Sequence, residues 1–170
     1  MKNKTIHFFS LILIAYFPIR TCAQQSAFKA AFLYHFAEYI NWKDNKISTF
    51  NFGVLEQSPI TKQMQAIANE KKIKNKPILV KEFSTLDEAE GYQFLFVPAN
   101  CSIPIESILS KYAGKPVLIV TEKEGFGKKG AHINFLLSDN RLRFEINLKS
   151  FNNSGVEVSS QLLQHAIIIE

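Results

Sequence analysis

Apolar residues recur at three- and four-residue spacing through residues 26–40 (SAFKAAFLYHFAEYI) and predict a helix there. Ser26 reads as its N-cap, and Phe28, Ala31, Phe32, Phe36 and Tyr39 as its apolar face. Residues 50–55 (FNFGVL) then predict a strand. Pro59 opens a second helix that runs to about Glu70, with Ile60, Met64 and Ile67 on one side. Residues 77–80, 94–97 and 117–120 are short apolar runs that read as strands. Between them lie a helical turn at 86–90 and a helix from Pro104 to about Tyr112.

Strands that are apolar on both faces and alternate with helices imply a parallel sheet covered on both sides. The rhythm changes after Val120. Residues 133–137 and 142–146 read as strands joined by Ser138-Asp139-Asn140-Arg141, short enough for an antiparallel hairpin. Ser159 or Ser160 caps a final helix over about 161–168. The expected architecture is α/β: a mixed, mostly parallel sheet flanked by helices, with a C-terminal antiparallel hairpin. No repeat, low-complexity tract or linker divides residues 24–170, which read as a single domain.

The first 23 residues stand apart. Lys2 and Lys4 precede an apolar run from Ile6 to Phe17, shorter than the ~20 residues that span a bilayer. Thr21-Cys22-Ala23 then places small residues at the −3 and −1 positions of a cleavage site. This segment reads as a secretory signal peptide, with Gln24 as the new N-terminus of an exported chain. A lipidated Cys22 fits less well, because Arg20 and Thr21 stand where that signal wants small residues.

Charge and composition then narrow the function. The chain has 170 residues and a net charge of +5, but Lys2, Lys4 and Arg20 all fall in the leader. The remainder carries 17 bases against 15 acids, which lacks the concentrated basic face of a nucleic-acid protein. The two cysteines of the full chain, Cys22 and Cys101, exclude a disulfide scaffold and a multi-cysteine zinc site. Once the leader is removed, Cys101 reads as a small buried apolar residue or as one half of an intermolecular disulfide.

Catalytic patterns are missing. Gly125-Phe126-Gly127-Lys128-Lys129-Gly130 matches G-x-G-x-x-G, yet the residues after it read as a strand where a dinucleotide site needs a helix. The loop retains the capacity to hold an anion through backbone amides and Lys128. His35 and Glu38 share a helical spacing without a third ligand, and Ser160 lacks the lysine of an S-x-x-K nucleophile. The carboxylates are scattered, so neither a metal, a cofactor nor an acid–base pair is implied. Residues 141–147 differ: alternation puts Arg141, Arg143, Glu145 and Asn147 on one face. Two guanidiniums beside a carboxylate either form an internal ladder or leave an arginine for an outside anion. Arg143 orienting Glu145, with Arg141 free, is the arrangement this spacing suggests.

Several segments together resemble the YfiR family of bacterial periplasmic proteins. They are Lys29 to Ala37 with Trp42, the strand Gln93 to Val97, Gly125-Phe126 with Gly130, the Arg141 to Asn147 segment, and Gly155 with Val158 to Leu163. The resemblance runs through nearly all of residues 24–170. It implies a non-enzymatic regulator that binds the periplasmic sensor part of a membrane diguanylate cyclase and is sequestered by an outer-membrane lipoprotein. It also implies homodimers and disulfides. Here Tyr92 stands about where the family often has a cysteine, and none follows the Arg141 to Asn147 segment, so family redox control is not implied. The expected partner-binding residues are Arg141, Arg143, Glu145, Gly127 and Lys128. The other reading is a periplasmic domain that senses or carries a small anion.

Overall fold

The computed structural model describes residues 22–43, 47–88, 90–139, 141–152 and 154–170. Residues 1–21 of the expected leader, which runs to Ala23, lie outside them. The described elements begin with α1 (Cys22–Tyr39), β1 (Ile40–Trp42), β2 (Phe50–Leu55), α2 (Pro59–Glu70), β3 (Lys72–Ile73) and β4 (Lys76–Phe83). A 3₁₀ turn at Leu86–Glu88 precedes β5 (Phe94–Val97), α3 (Ile105–Tyr112) and β6 (Leu118–Thr121). The chain continues through β7 (Ile133–Ser138), β8 (Arg141–Asn147), α4 (Leu148–Asn152), β9 (Val156–Val158), α5 (Ser160–Leu163) and β10 (Ile167–Ile169).

Eight strands form one sheet in the order β10-β8-β7-β6-β5-β2-β4-β3. Strands β4, β2, β5, β6 and β7 run parallel, and β8 returns antiparallel to β7. The α/β class, the mostly parallel sheet and the C-terminal hairpin are as the sequence pattern implies. Strand β5 shows why. Phe94 and Phe96 enter the core beneath α1 and α2, while Leu95 and Val97 enter a second core with Ile105 and Ile108 of α3. All four are fully buried. Each such side chain contributes ~1.5–3 kcal/mol over leaving it in water, so a strand apolar on both faces is stable only between two helical layers.

Helix α2 starts where its cap requires. The Ser58 Oγ accepts from the Ile60 amide at 3.3 Å, and Pro59 supplies the first helical residue. Three expectations are corrected. Ser26 is not an N-cap: α1 already runs from Cys22, and Ser26 is buried within it. The apolar face of α1 is also rotated, since Ala30, Leu33, Phe36 and Ala37 are fully buried while Phe28 is 58% exposed. Phe28 instead packs edge-on to Phe32, which reaches the hairpin at Phe135 and Phe144. The final helix stops at Leu163, and three isoleucines form β10, parallel to β8 at Glu145 to Asn147. Ser159 does cap α5, accepting from the Leu162 amide.

A separate antiparallel ladder, β1 with β9, has no counterpart in the sequence reading; it pairs Ile40 with Val158 and Trp42 with Val156. The Trp42 indole donates to the Gln93 carbonyl at 3.2 Å and meets the Phe50 ring edge-on. This anchors the small ladder to the start of the main sheet.

Candidate functional site

In parallel α/β sheets, ligands bind at the carboxyl ends of strands where the strand order reverses. Here the chain leaves β2 for β4 on one side and returns to β5 on the other. The crevice at that point is occupied by the protein's own carboxylates. Glu56, directly after β2 and at φ +62°, accepts from the Ser102 amide at 3.0 Å and from its hydroxyl. Glu122, directly after β6, accepts from the Ala99 amide at 3.2 Å and from the Lys29 ammonium. The amides after β5 that would meet an anionic ligand are thus already capped from within.

The glycine loop between β6 and β7 is likewise satisfied internally. The Phe126, Lys129, Gly130 and Ala131 amides donate to the carbonyls of Lys123, Gly125, Gly127 and Phe126. Phe126 sinks into the α3-side core, and Asn147 of β8 holds the loop by donating to the Gly127 carbonyl at 2.8 Å. Ser150 donates to the Gly130 carbonyl at 2.9 Å. Lys129 pairs with Glu106 of α3, while Lys128 is exposed and has no ion pair among the described residues. Those four amides are turned inward and are not offered to an anion.

The hairpin places its alternating residues as expected on one face, but not in the expected pairs. Arg141 and Arg143 are exposed, Glu145 is half-buried and Asn147 is buried. Among the described residues neither arginine forms an ion pair. The internal ladder and the orienting of Glu145 by Arg143 are therefore corrected. Glu145 accepts instead from Asn134 Nδ2 at 2.9 Å and lies against Gly127, where a Cβ would stand 2.3 Å from its Oε1. The cross-strand register explains this, because Glu145 sits opposite Asn134 and Arg143 opposite Leu136. Glu145, Gly127 and Lys128 gather at one end of the hairpin face; the two arginines continue that face outward.

Beside them opens a cleft of about 550 Å³, bounded by Gln25 and Lys29 of α1, by Glu122 to Lys128, and by β7 and Leu142 and Glu145 of β8. Nothing in the sequence pattern marked Lys29, Glu122 or Asn134, because their relation depends on strand order. The histidines lie elsewhere. His35 and His165 are exposed, and Glu38 accepts from the Lys74 amide. His132 is buried: its Nδ1 accepts from the Ile119 amide at 3.2 Å, and its Nε2 has no hydrogen-bond partner among the described residues. Burial lowers its pKa to about 4, outweighing an opposing pull from the Ser150 backbone. Cys101 is buried, and that burial pushes its thiol up. Tyr92 is buried against Phe83.

Among the described residues no three His, Cys, Asp or Glu side chains are grouped to hold a metal, and no helix is long and apolar enough to cross a membrane. Fold and site together define an α/β module with an internally capped crevice and an exposed basic hairpin. The chain belongs to the YfiR/HmsC-like family, whose model matches residues 26–167. No curated protein matches it closely enough to count as a relative.

Proposed function

We propose that this protein is a periplasmic, non-enzymatic regulator that restrains a membrane-bound signalling enzyme through that enzyme's periplasmic part. The observation that carries the reading is membership of the YfiR/HmsC-like family over residues 26–167. The enzyme class it points to is a diguanylate cyclase, with a sensor kinase as the other member of the same partner class. The leader is cleaved between Ala23 and Gln24, and residues 24–170 form the regulatory domain. An outer-membrane lipoprotein would withdraw the regulator from its target, and the resemblance extends the proposal to a homodimer.

The site supports this reading through Arg141 and Arg143. Two exposed guanidiniums without ion pairs among the described residues are available to carboxylates on another protein. The small-anion reading has less support, because four amides of the glycine loop and the Ala99 and Ser102 amides already donate within the protein. Titration of the purified protein with the periplasmic domains of its host's membrane cyclases and kinases tests the proposal. A saturable complex with one of them supports it; binding to none, alongside tight binding of a small anion, refutes it.

A further inference from the structure

The ladder between β6 and β7 is short, joining only Val120 to Ile133 and Thr121 to Asn134. The ladder between β7 and β8 continues to the pair Ser138 and Arg141. Phe135 to Ser138 therefore project past the last residue that supports β7 on its other side. The Asn147 amide donates to the His132 carbonyl at 3.0 Å, which sets the phase of the antiparallel ladder. Backbone groups alternate along such a ladder, so Leu136 and Ser138 face β8 and Leu137 turns its amide and carbonyl to the open side. Among the described residues no strand pairs with Leu137 there. Its side chain is 67% exposed as well.

This open edge is one wall of the 550 Å³ cleft, which narrows what fits. An unpaired edge beside apolar walls is complementary to an extended chain, which supplies the missing hydrogen bonds. Leu136, Leu137 and Leu142 give that chain apolar contacts. The charges give it a sign. Lys29 and Glu122 neutralise each other. Glu124, Glu145 and Lys128 line the cleft without ion pairs among the described residues, an excess of one carboxylate. Glu145 is half-buried and, among the described residues, has only the Asn134 amide as a donor, so a cation from outside is its complement. Arg141 and Arg143 do not line the cleft.

We propose that β7 receives an extended segment of the partner protein as an added strand, paired at Leu137, with a lysine or arginine of that segment meeting Glu145. This rests on the reading of the chain as a protein-binding regulator and assigns the contact to one edge.

The test selects binders from a displayed library of random dodecapeptides on the purified protein, then measures amide hydrogen exchange with the enriched peptides bound. The enriched peptides are expected to alternate apolar residues and carry a lysine or arginine. They should slow exchange at the Leu137 amide, and Glu145→Gln should weaken them by about tenfold or more. Leu137→Pro should leave the melting profile unchanged, since among the described residues the Leu137 amide has no strand partner, and should abolish binding because proline has no N–H to donate. No enrichment overturns the inference. So does a peptide or sensor domain that binds while Leu137 exchanges freely and Glu145→Gln has no effect. A sensor domain bound in that second way leaves the regulator reading intact and removes only the edge.

Discussion

Gly127 and Glu145 are in direct contact: a Cβ on residue 127 would stand 2.3 Å from the carboxylate oxygen that Asn134 holds. The pair fastens the glycine loop to the hairpin, so each constrains the other. Gly127→Ala should push Glu145 off Asn134 and cost ~1–3 kcal/mol, the range for overpacking a filled site. In Gly127→Ala/Glu145→Ala the obstacle is gone, and the cost of the alanine at 127 should largely disappear. Urea unfolding of the two single variants and the double variant measures this coupling; strictly additive costs would show the contact carries no strain.

His132 makes stability depend on pH. In the unfolded chain its pKa returns to about 6.5, against about 4 in the fold, so the unfolded state binds more protons between those values. The stabilisation is complete above pH 6.5 and is lost as pH falls toward 4. At 1.36 kcal/mol per pKa unit it amounts to about 3 kcal/mol. Urea midpoints at pH 7 and pH 4.5 should differ accordingly, and His132→Gln should flatten that difference. An unchanged slope in the variant would assign the acid sensitivity to other groups.

Lys29 and Glu122 join α1 to the end of β6, and both side chains are largely buried. Glu122→Ala leaves the Ala99 amide and the Lys29 ammonium without their shared acceptor, which should cost ~2–4 kcal/mol. Lys29→Met keeps the amide bond to Glu122 and should cost less. Thermal melts that rank the two variants the other way would place the strength of the junction in Lys29.

The two exposed arginines should behave differently from these internal contacts. Arg141→Ala and Arg143→Ala should each leave stability within ~0.5 kcal/mol of wild type, since neither guanidinium has an internal ion pair. Where an arginine anchors a partner, truncation should cost ~2 kcal/mol or more of binding. Paired melting and sensor-domain titrations separate the two effects. Variants that melt and bind as wild type make the arginine face scaffold.

Local chemistry explains which parts of this fold could be read in advance. The Phe94 to Val97 run and the Pro59 start of α2 each carry their own signal, a doubly apolar strand and an opening proline. The 138–141 connection was also legible, with Asp139 adopting φ +51° in the turn. Ser26 misled because Ala and Gln before it are good helix formers, so nothing stops α1 there. Ile167 to Ile169 misled for the opposite reason: β-branched residues follow a helix cap, and pairing with β8 decides their state. In the candidate site, the shared face of Arg141, Arg143 and Glu145 follows from a period of two. The partner of Glu145 does not, because Asn134 reaches it only through the register of β7 on β8.

The proposed target is first of all a membrane diguanylate cyclase, and cellular cyclic-di-GMP reads out its restraint. The measurement compares host cells carrying the chain, lacking it, and lacking it with the exported chain restored. Under this proposal cyclic-di-GMP rises severalfold on removal, and restoration reverses the rise while a copy without residues 1–23 does not. Cyclic-di-GMP that stays level across all of these cells would contradict it.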